Sequence, residues 1–104
     1  MTETKIYKIF TPLGDEIYIG STASKLLSTR FSHHKANYRS YIKRNKTKGF
    51  ITLFLMFEKY GMENCFIELI EEFICSTIDE RRMKEGDHIR ATTCINKCYK
   101  QNYF

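Results

Sequence analysis

Two phrases of alternating polar and apolar residues, Lys5 to Thr11 and Ile17 to Ser21, stand on either side of Pro12, Leu13, Gly14, Asp15 and Glu16. β-Branched and aromatic residues in period two predict strands, and so short a Pro/Gly connection makes them an antiparallel hairpin. The phrases also repeat, Ile6-Tyr7-Lys8-Ile9 returning as Ile17-Tyr18-Ile19-Gly20. In such a pair the register decides which side chains share a face. With Leu13 and Gly14 as the loop residues, Phe10 faces Ile17 and Tyr7 faces Gly20, so Tyr7 and Tyr18 point to one side of the sheet. Gly20, having no side chain, is then expected to leave open space beside Tyr7.

After a small-residue loop from Ser21 to Ser24, the segment from Lys25 to Asn45 has no Gly or Pro and reads as a helix. Its apolar stripe is placed on Leu27, Phe31, Tyr38 and Ile42, and Arg30 and His34 fall on or beside it, four residues apart. Arg39 and Lys43 lie away from the stripe, and Lys35 at its edge, where a long side chain still reaches water. A basic linker, "RNKTKG", leads to a shorter helix over Thr52 to Lys59 with Gly61 as its stop. Cys65 to Ile74 is rich in β-favouring residues and reads as a third strand. Thr77-Ile-Asp-Glu80 has capping-box spacing and opens a last helix, with Ile78, Arg82, Glu85 and Ile89 expected on one face. That reading sets a carboxylate among core-facing positions. The tail from Ala91 reads as irregular or weakly extended.

The 104 residues are 42% hydrophobic and 14% aromatic, which suits one domain with a modest core and argues against disorder. The longest apolar run, Phe50 to Phe57, is far short of the roughly 20 residues a membrane span needs. The N-terminal residues lack a signal-peptide core, so the expectation is an intracellular, unsecreted protein with reduced thiols. Cys94 and Cys98 offer half of a zinc site, but Cys65 and Cys75 do not form a second close pair.

The net charge of +5 is unevenly spread. No acid occurs between Glu16 and Glu58, a span carrying Lys25, Arg30, Lys35, Arg39, Lys43, Arg44, Lys46 and Lys48. From Glu58 to Asp87, nine acids face four bases. Such segregation fits binding of a polyanion, and equally a solvated lysine-rich helix.

The order of parts, a hairpin with two tyrosines, a helix with inward Arg and His, a strand, a helix with inward Glu and an Asn-bearing tail, resembles the GIY-YIG nuclease family from Lys5 to Asn96. "KIY" stands where the first family signature stands, with Lys5 in place of its glycine, and "YIG" at residues 18 to 20 is the second unchanged. Arg30 with His34 is similar to the family's Arg-x-x-x-His, Glu85 in "KEGDHI" to its metal-binding glutamate, and Asn96 in "CINK" to its terminal asparagine. Each residue alone has an ordinary structural explanation: strand packing for a tyrosine, an ion pair with Arg81 or Arg82 for Glu85, a turn for Asn96. Four elements aiming polar groups inward are harder to explain that way, because burying polar groups without purpose is costly.

The resemblance implies an α+β fold, a three-stranded antiparallel sheet flanked by helices. The expectation is a single domain over residues 1–104 with no separate DNA-binding domain, a departure from the family's homing and repair members, which carry additional ones. It implies metal-assisted hydrolysis of phosphodiester bonds in DNA, with one Mg²⁺ or Mn²⁺ ion on Glu85 and no small-molecule cofactor or membrane partner. Tyr7 would be the general base, its ionisation favoured by Arg30 and the metal, with His34 accepting or relaying its proton. Arg30 would stabilise the charged phosphoryl group, Tyr18 would bind phosphate or position water, Gly20 would leave room for a phosphate, and Asn96 would brace the site. Lys35, Arg39, Lys43, Arg44, Lys46 and Lys48 would hold the nucleic-acid backbone with weak sequence preference and strong salt dependence. Two other classes are carried beside it: a nonenzymatic basic nucleic-acid-binding module on the same fold, and a zinc-stabilised interaction domain.

Overall fold

Phe10 pairs with Ile17 and Tyr7 with Gly20 in the hairpin, the expected register, but the connection is the six residues Thr11 to Glu16 and not Leu13 and Gly14 alone. The structure is a computed structural model that describes residues 2–96. Its elements are β1 (Thr2–Phe10), β2 (Ile17–Thr22), α1 (Leu27–Lys43), α2 (Leu53–Tyr60), a 3-10 turn (Met62–Asn64), β3 (Phe66–Cys75) and α3 (Ile78–Ala91). The sheet is three-stranded in the order β2-β1-β3, and both pairings are antiparallel. β1 is therefore the central strand and β2 an edge.

Being central, β1 is covered on both sides, and its alternation sorts the two cores. Tyr7 and Ile9 pack with Tyr41, Leu53, Phe54, Met56 and Phe57, from α1 and α2. Ile6 faces the other way, onto Ile19, Ile89 and Cys94. Phe54 is the hub of the first core, its ring lying 5.0 Å from Tyr41 and 5.2 Å from Tyr38. Ring pairs at that spacing add about 0.5–1.5 kcal/mol each to the burial of their area. On β3 the register shifts between Ile6 and Tyr7, which face Glu71 and Leu69, so a bulge sits directly beside the tyrosine. Bulges bend and twist a strand locally and re-aim side chains. The hairpin turn is tied to the end of α2, where Glu16 accepts from Lys59 Nζ at 2.9 Å and from the Tyr60 hydroxyl.

Lys5, in the place of a glycine, is only 8% exposed, with its ammonium 3.5 Å from Glu3 and from Glu72. The lysine is accommodated by lying over the sheet between two carboxylates.

Two helical faces differ from the expected ones. On α1 the buried positions are His34 and Tyr41, whereas Ile42 is 41% exposed. At 3.6 residues per turn, Leu27, Phe31, His34, Tyr38 and Tyr41 keep to one stripe, and a residue fifteen positions after Leu27 has rotated past it. On α3, Ile78 and Arg82 are exposed, and the inward row is Arg81, Glu85 and Ile89. Ile89 is the buried apolar anchor of that helix, so spacing back from it in fours selects the row. The cap works as expected at Thr77, whose hydroxyl accepts from the Glu80 amide at 3.1 Å, but Glu80 reaches the amide of Ser76 rather than that of Thr77. The backbone at Ile95 and Asn96 is helical, not irregular or extended. Cys65, Cys75 and Cys94 are free thiols, and Cys98 lies outside the described residues.

Candidate active site

Tyr7 is fully buried at the middle of the sheet, and two residues of α1 converge on its hydroxyl. Arg30 Nε donates to Tyr7 Oη at 3.2 Å, and His34 Nε2 lies 2.6 Å from the same oxygen. The four-residue spacing on α1 stacks the guanidinium and the imidazole on one face, one turn apart. Arg30 can only donate, so it takes a lone pair of the phenol and leaves the phenolic proton directed at His34. Tyr7 then donates to Nε2, and the imidazole carries its own proton on Nδ1.

That ring is 2% exposed and its Nδ1 has no hydrogen-bond partner among the described residues. Burial, the Arg30 charge and then the His33 charge push the His34 pKa down to about 4, so the ring is neutral at pH 7. Tyr7 moves the opposite way. Burial raises its pKa above the ordinary 10, against the hydrogen bond and charge of Arg30. The expected pull of Arg30 toward the ionised form is therefore present, but desolvation outweighs it, and the resting state is phenol hydrogen-bonded to neutral imidazole.

Tyr18 shares the face of Tyr7, and His34 meets both rings edge-on, each centroid 5.9 Å away at 62° and 84°. Burial first, then the neighbouring Tyr7 and Glu85, raise the Tyr18 pKa, so its hydroxyl stays protonated. Gly20 corrects the sequence reading. A Cβ there would stand 2.5 Å from Tyr7 Cζ and closer still to Tyr7 Oη. The space is filled by Tyr7 itself, so the glycine admits the tyrosine and leaves no room for a phosphate at that point.

Glu85 approaches from the other side. Its Oε1 accepts from Ser21 Oγ at 2.5 Å, and Ser21 pairs with Ile6, on the face opposite Tyr7. The carboxylate thus joins the group around the free edge of β2, and its charge still acts on both tyrosines. Asn96 holds the same edge. Its Oδ1 accepts from the Ile19 amide and its Nδ2 donates to the Ile19 carbonyl, both at 2.9 Å. It pairs with an edge strand as a neighbouring strand would, between Tyr18 and Gly20.

Sequence reasoning missed Ser21, which carries no spacing signal, and Arg81, whose place in the inward row is marked only by its distance from Ile89. Of the basic residues, Arg39, Lys43, Arg44 and Lys48 are exposed, and Lys35 lies 4.5 Å over the Phe31 ring. Lys46 is paired with Glu58 at 3.0 Å, which weakens its expected role. Lys43 is thirteen residues along α1 from Arg30, about 20 Å at 1.5 Å per residue.

The residues fit a divalent ion of the kind that one carboxylate can hold. Glu85 Oε1 is oriented by Ser21, and Mg²⁺ is commonly bound by one or two carboxylates with water and substrate phosphate completing its shell. Among the described residues no group of three or more His, Cys, Asp or Glu side chains is placed to enclose a metal, so a caged structural site has no support there. No helix is long and apolar enough to cross a membrane among the described residues.

Compared with known proteins, the chain matches the GIY-YIG catalytic domain over residues 4–85. No curated protein and no solved structure matches it. The match takes in both tyrosines, Gly20, Arg30 and His34 and ends on Glu85, while Asn96 lies beyond it. Most of the chain is covered, and it belongs to the GIY-YIG family of catalytic domains, a nuclease-type fold.

Proposed function

We propose that the protein is an endonuclease that hydrolyses phosphodiester bonds in DNA, with Tyr7 as the general base. The observation that carries this is the Tyr7 hydroxyl, held at once by Arg30 Nε and by the Nε2 of a neutral His34. The hydroxyl is buried in the free protein, and once a water reaches it a phenol so placed takes the proton of that water while passing its own to the imidazole. The hydroxide attacks phosphorus, one P–O bond breaks, and the leaving oxygen takes a proton from solvent. His34 later releases its proton. Tyr18, still protonated, donates its hydroxyl hydrogen to water or phosphate.

In the free protein the opposite shifts of Tyr7 and His34 keep the proton on the phenol. Burial is the main cause of the low His34 pKa and the Arg30 charge the next; a substrate phosphate beside Arg30 offsets the second and so raises the basicity of the ring in part. Arg30 meanwhile keeps a fixed positive charge where negative charge accumulates in the transition state. One Mg²⁺ or Mn²⁺ held by Glu85 would supply charge neutralisation at the phosphate and at the leaving oxygen.

Exposed Arg39, Lys43, Arg44 and Lys48 extend the positive surface away from the site, so backbone contacts dominate affinity and sequence preference is weak. The test is incubation with supercoiled plasmid and Mg²⁺, Mn²⁺ or chelator. Metal-dependent nicking supports the reading. Salt-sensitive DNA binding without nicking under any condition would instead select the nonenzymatic binding module.

A further inference from the structure

α3 and β2 run in step past each other: Ile89 packs on Ile19, Glu85 bonds Ser21, and Arg81 lines one cavity with Ala23. Two residues of strand advance about 6.7 Å and four of helix about 6 Å, so these three pairs form successive rungs. Arg81 therefore occupies the rung beyond the proposed metal ligand.

The Arg81 guanidinium is unusually placed. Its Nε is shielded from solvent and has no hydrogen-bond partner among the described residues, and none of the ion pairs found among them includes it. An N–H donor shielded from water and without an acceptor is costly, and an anion entering the cavity supplies the missing acceptor. The cavity it lines, about 230 Å³, also takes in Thr4, Ser76 and Thr77, and none of its lining residues is acidic. It is continuous in charge with the catalytic group, because Arg81 is among the cations that draw Tyr7 toward ionisation.

We propose that Arg81 is a second phosphate-binding residue, which holds the backbone phosphate next to the one at Glu85 and so sets the position of the scissile bond. The inference rests on the nuclease reading for its substrate. Arg suits the role because its planar fork binds two phosphate oxygens at once.

The test is DNA affinity as a function of salt, measured by fluorescence anisotropy in chelator for the full chain and its variants. Arg81→Gln should bind roughly ten-fold more weakly, with a salt slope lower by about 0.9, the value of one phosphate contact. Arg81→Lys, which keeps the charge and most of the stem, should keep the slope. Ala23→Asp, which sets a carboxylate in the same cavity, should weaken binding as Arg81→Gln does. An unchanged slope in Arg81→Gln would overturn the proposal, as would unchanged affinity in Ala23→Asp. A shifted pH profile of cutting at unchanged affinity would also overturn it, by showing that Arg81 acts on Tyr7 alone. Because affinity is the readout, a wild type that binds but does not nick would sink the nuclease reading and still leave Arg81 decided.

Discussion

The ring of Tyr7 occupies the volume that any side chain on Gly20, its partner across the hairpin, would need. Both residues are therefore parts of one packing solution. Gly20→Ala forces the phenol away from Arg30 and His34, and a displacement of about 1 Å can cost 100-fold in rate. The expected result is at least that loss of cutting, with about 1–3 kcal/mol of destabilisation from overpacking. In a Tyr7→Ala background the same substitution should cost almost no stability, which a double-mutant cycle by denaturant unfolding checks.

His34 gives the fold a pH dependence with a definite sign. Its folded pKa of about 4 lies below the unfolded value near 6.5, so the unfolded chain binds more protons between those values. The contribution of His34 to stability is complete above pH 6.5 and is lost as pH falls toward 4. A depression of this size corresponds to about 3 kcal/mol. Unfolding midpoints of wild type and His34→Asn, compared from pH 8 to pH 4, should converge across that window and run parallel above it. A constant difference throughout would contradict the neutral, buried ring.

Asn96 makes two hydrogen bonds to one residue of an edge strand, and truncating it leaves the Ile19 amide and carbonyl unpaired. Asn96→Ala should cost about 1–3 kcal/mol in thermal or denaturant unfolding. Asn96→Asp keeps the acceptor and loses the donor, and should fall between the two.

The hairpin and α1 were legible for physical reasons. The apolar alternation of both strands leaves little choice of register, because a slip of one residue turns Ile9 and Ile19 out of their cores, and the i, i+4 spacing of Arg30 and His34 survives small errors in the placing of the stripe. α3 was harder, because its sequence, IDERRMKEGDHIRA, offers few apolar residues to mark a face. Periodicity alone could not choose between Arg81 and Arg82. Ser21 was opaque in another way: its partner lies 64 residues away, and nothing local to a serine announces such a contact. Asn96 reads from the sequence as a brace, but that it braces Ile19, 77 residues away, does not. Gly20 was singled out correctly as a residue needed without a side chain, but what fills its space depends on the ring of Tyr7, and only coordinates show that.

The basic surface divides into free and paired cations. Replacing Lys43, Arg44 and Lys48 together should weaken binding to all DNA sequences alike and lower the salt slope by up to about 2.7. Lys46→Ala should change it much less, because Lys46 already faces Glu58. Anisotropy titrations at several salt concentrations separate the two. Selective loss at one sequence would show that these residues read bases and not backbone.

The most direct measurement is single-turnover cleavage by Tyr7→Phe, beside wild type, in Mg²⁺ and at saturating protein. The change removes one oxygen and keeps the ring that packs against Gly20, so folding and DNA affinity should hold. Loss of a general base costs roughly 100- to 10,000-fold in rate, and a drop of that size at unchanged affinity is the predicted result. Cutting by Tyr7→Phe within a few-fold of wild type would contradict the assignment of Tyr7 as the base.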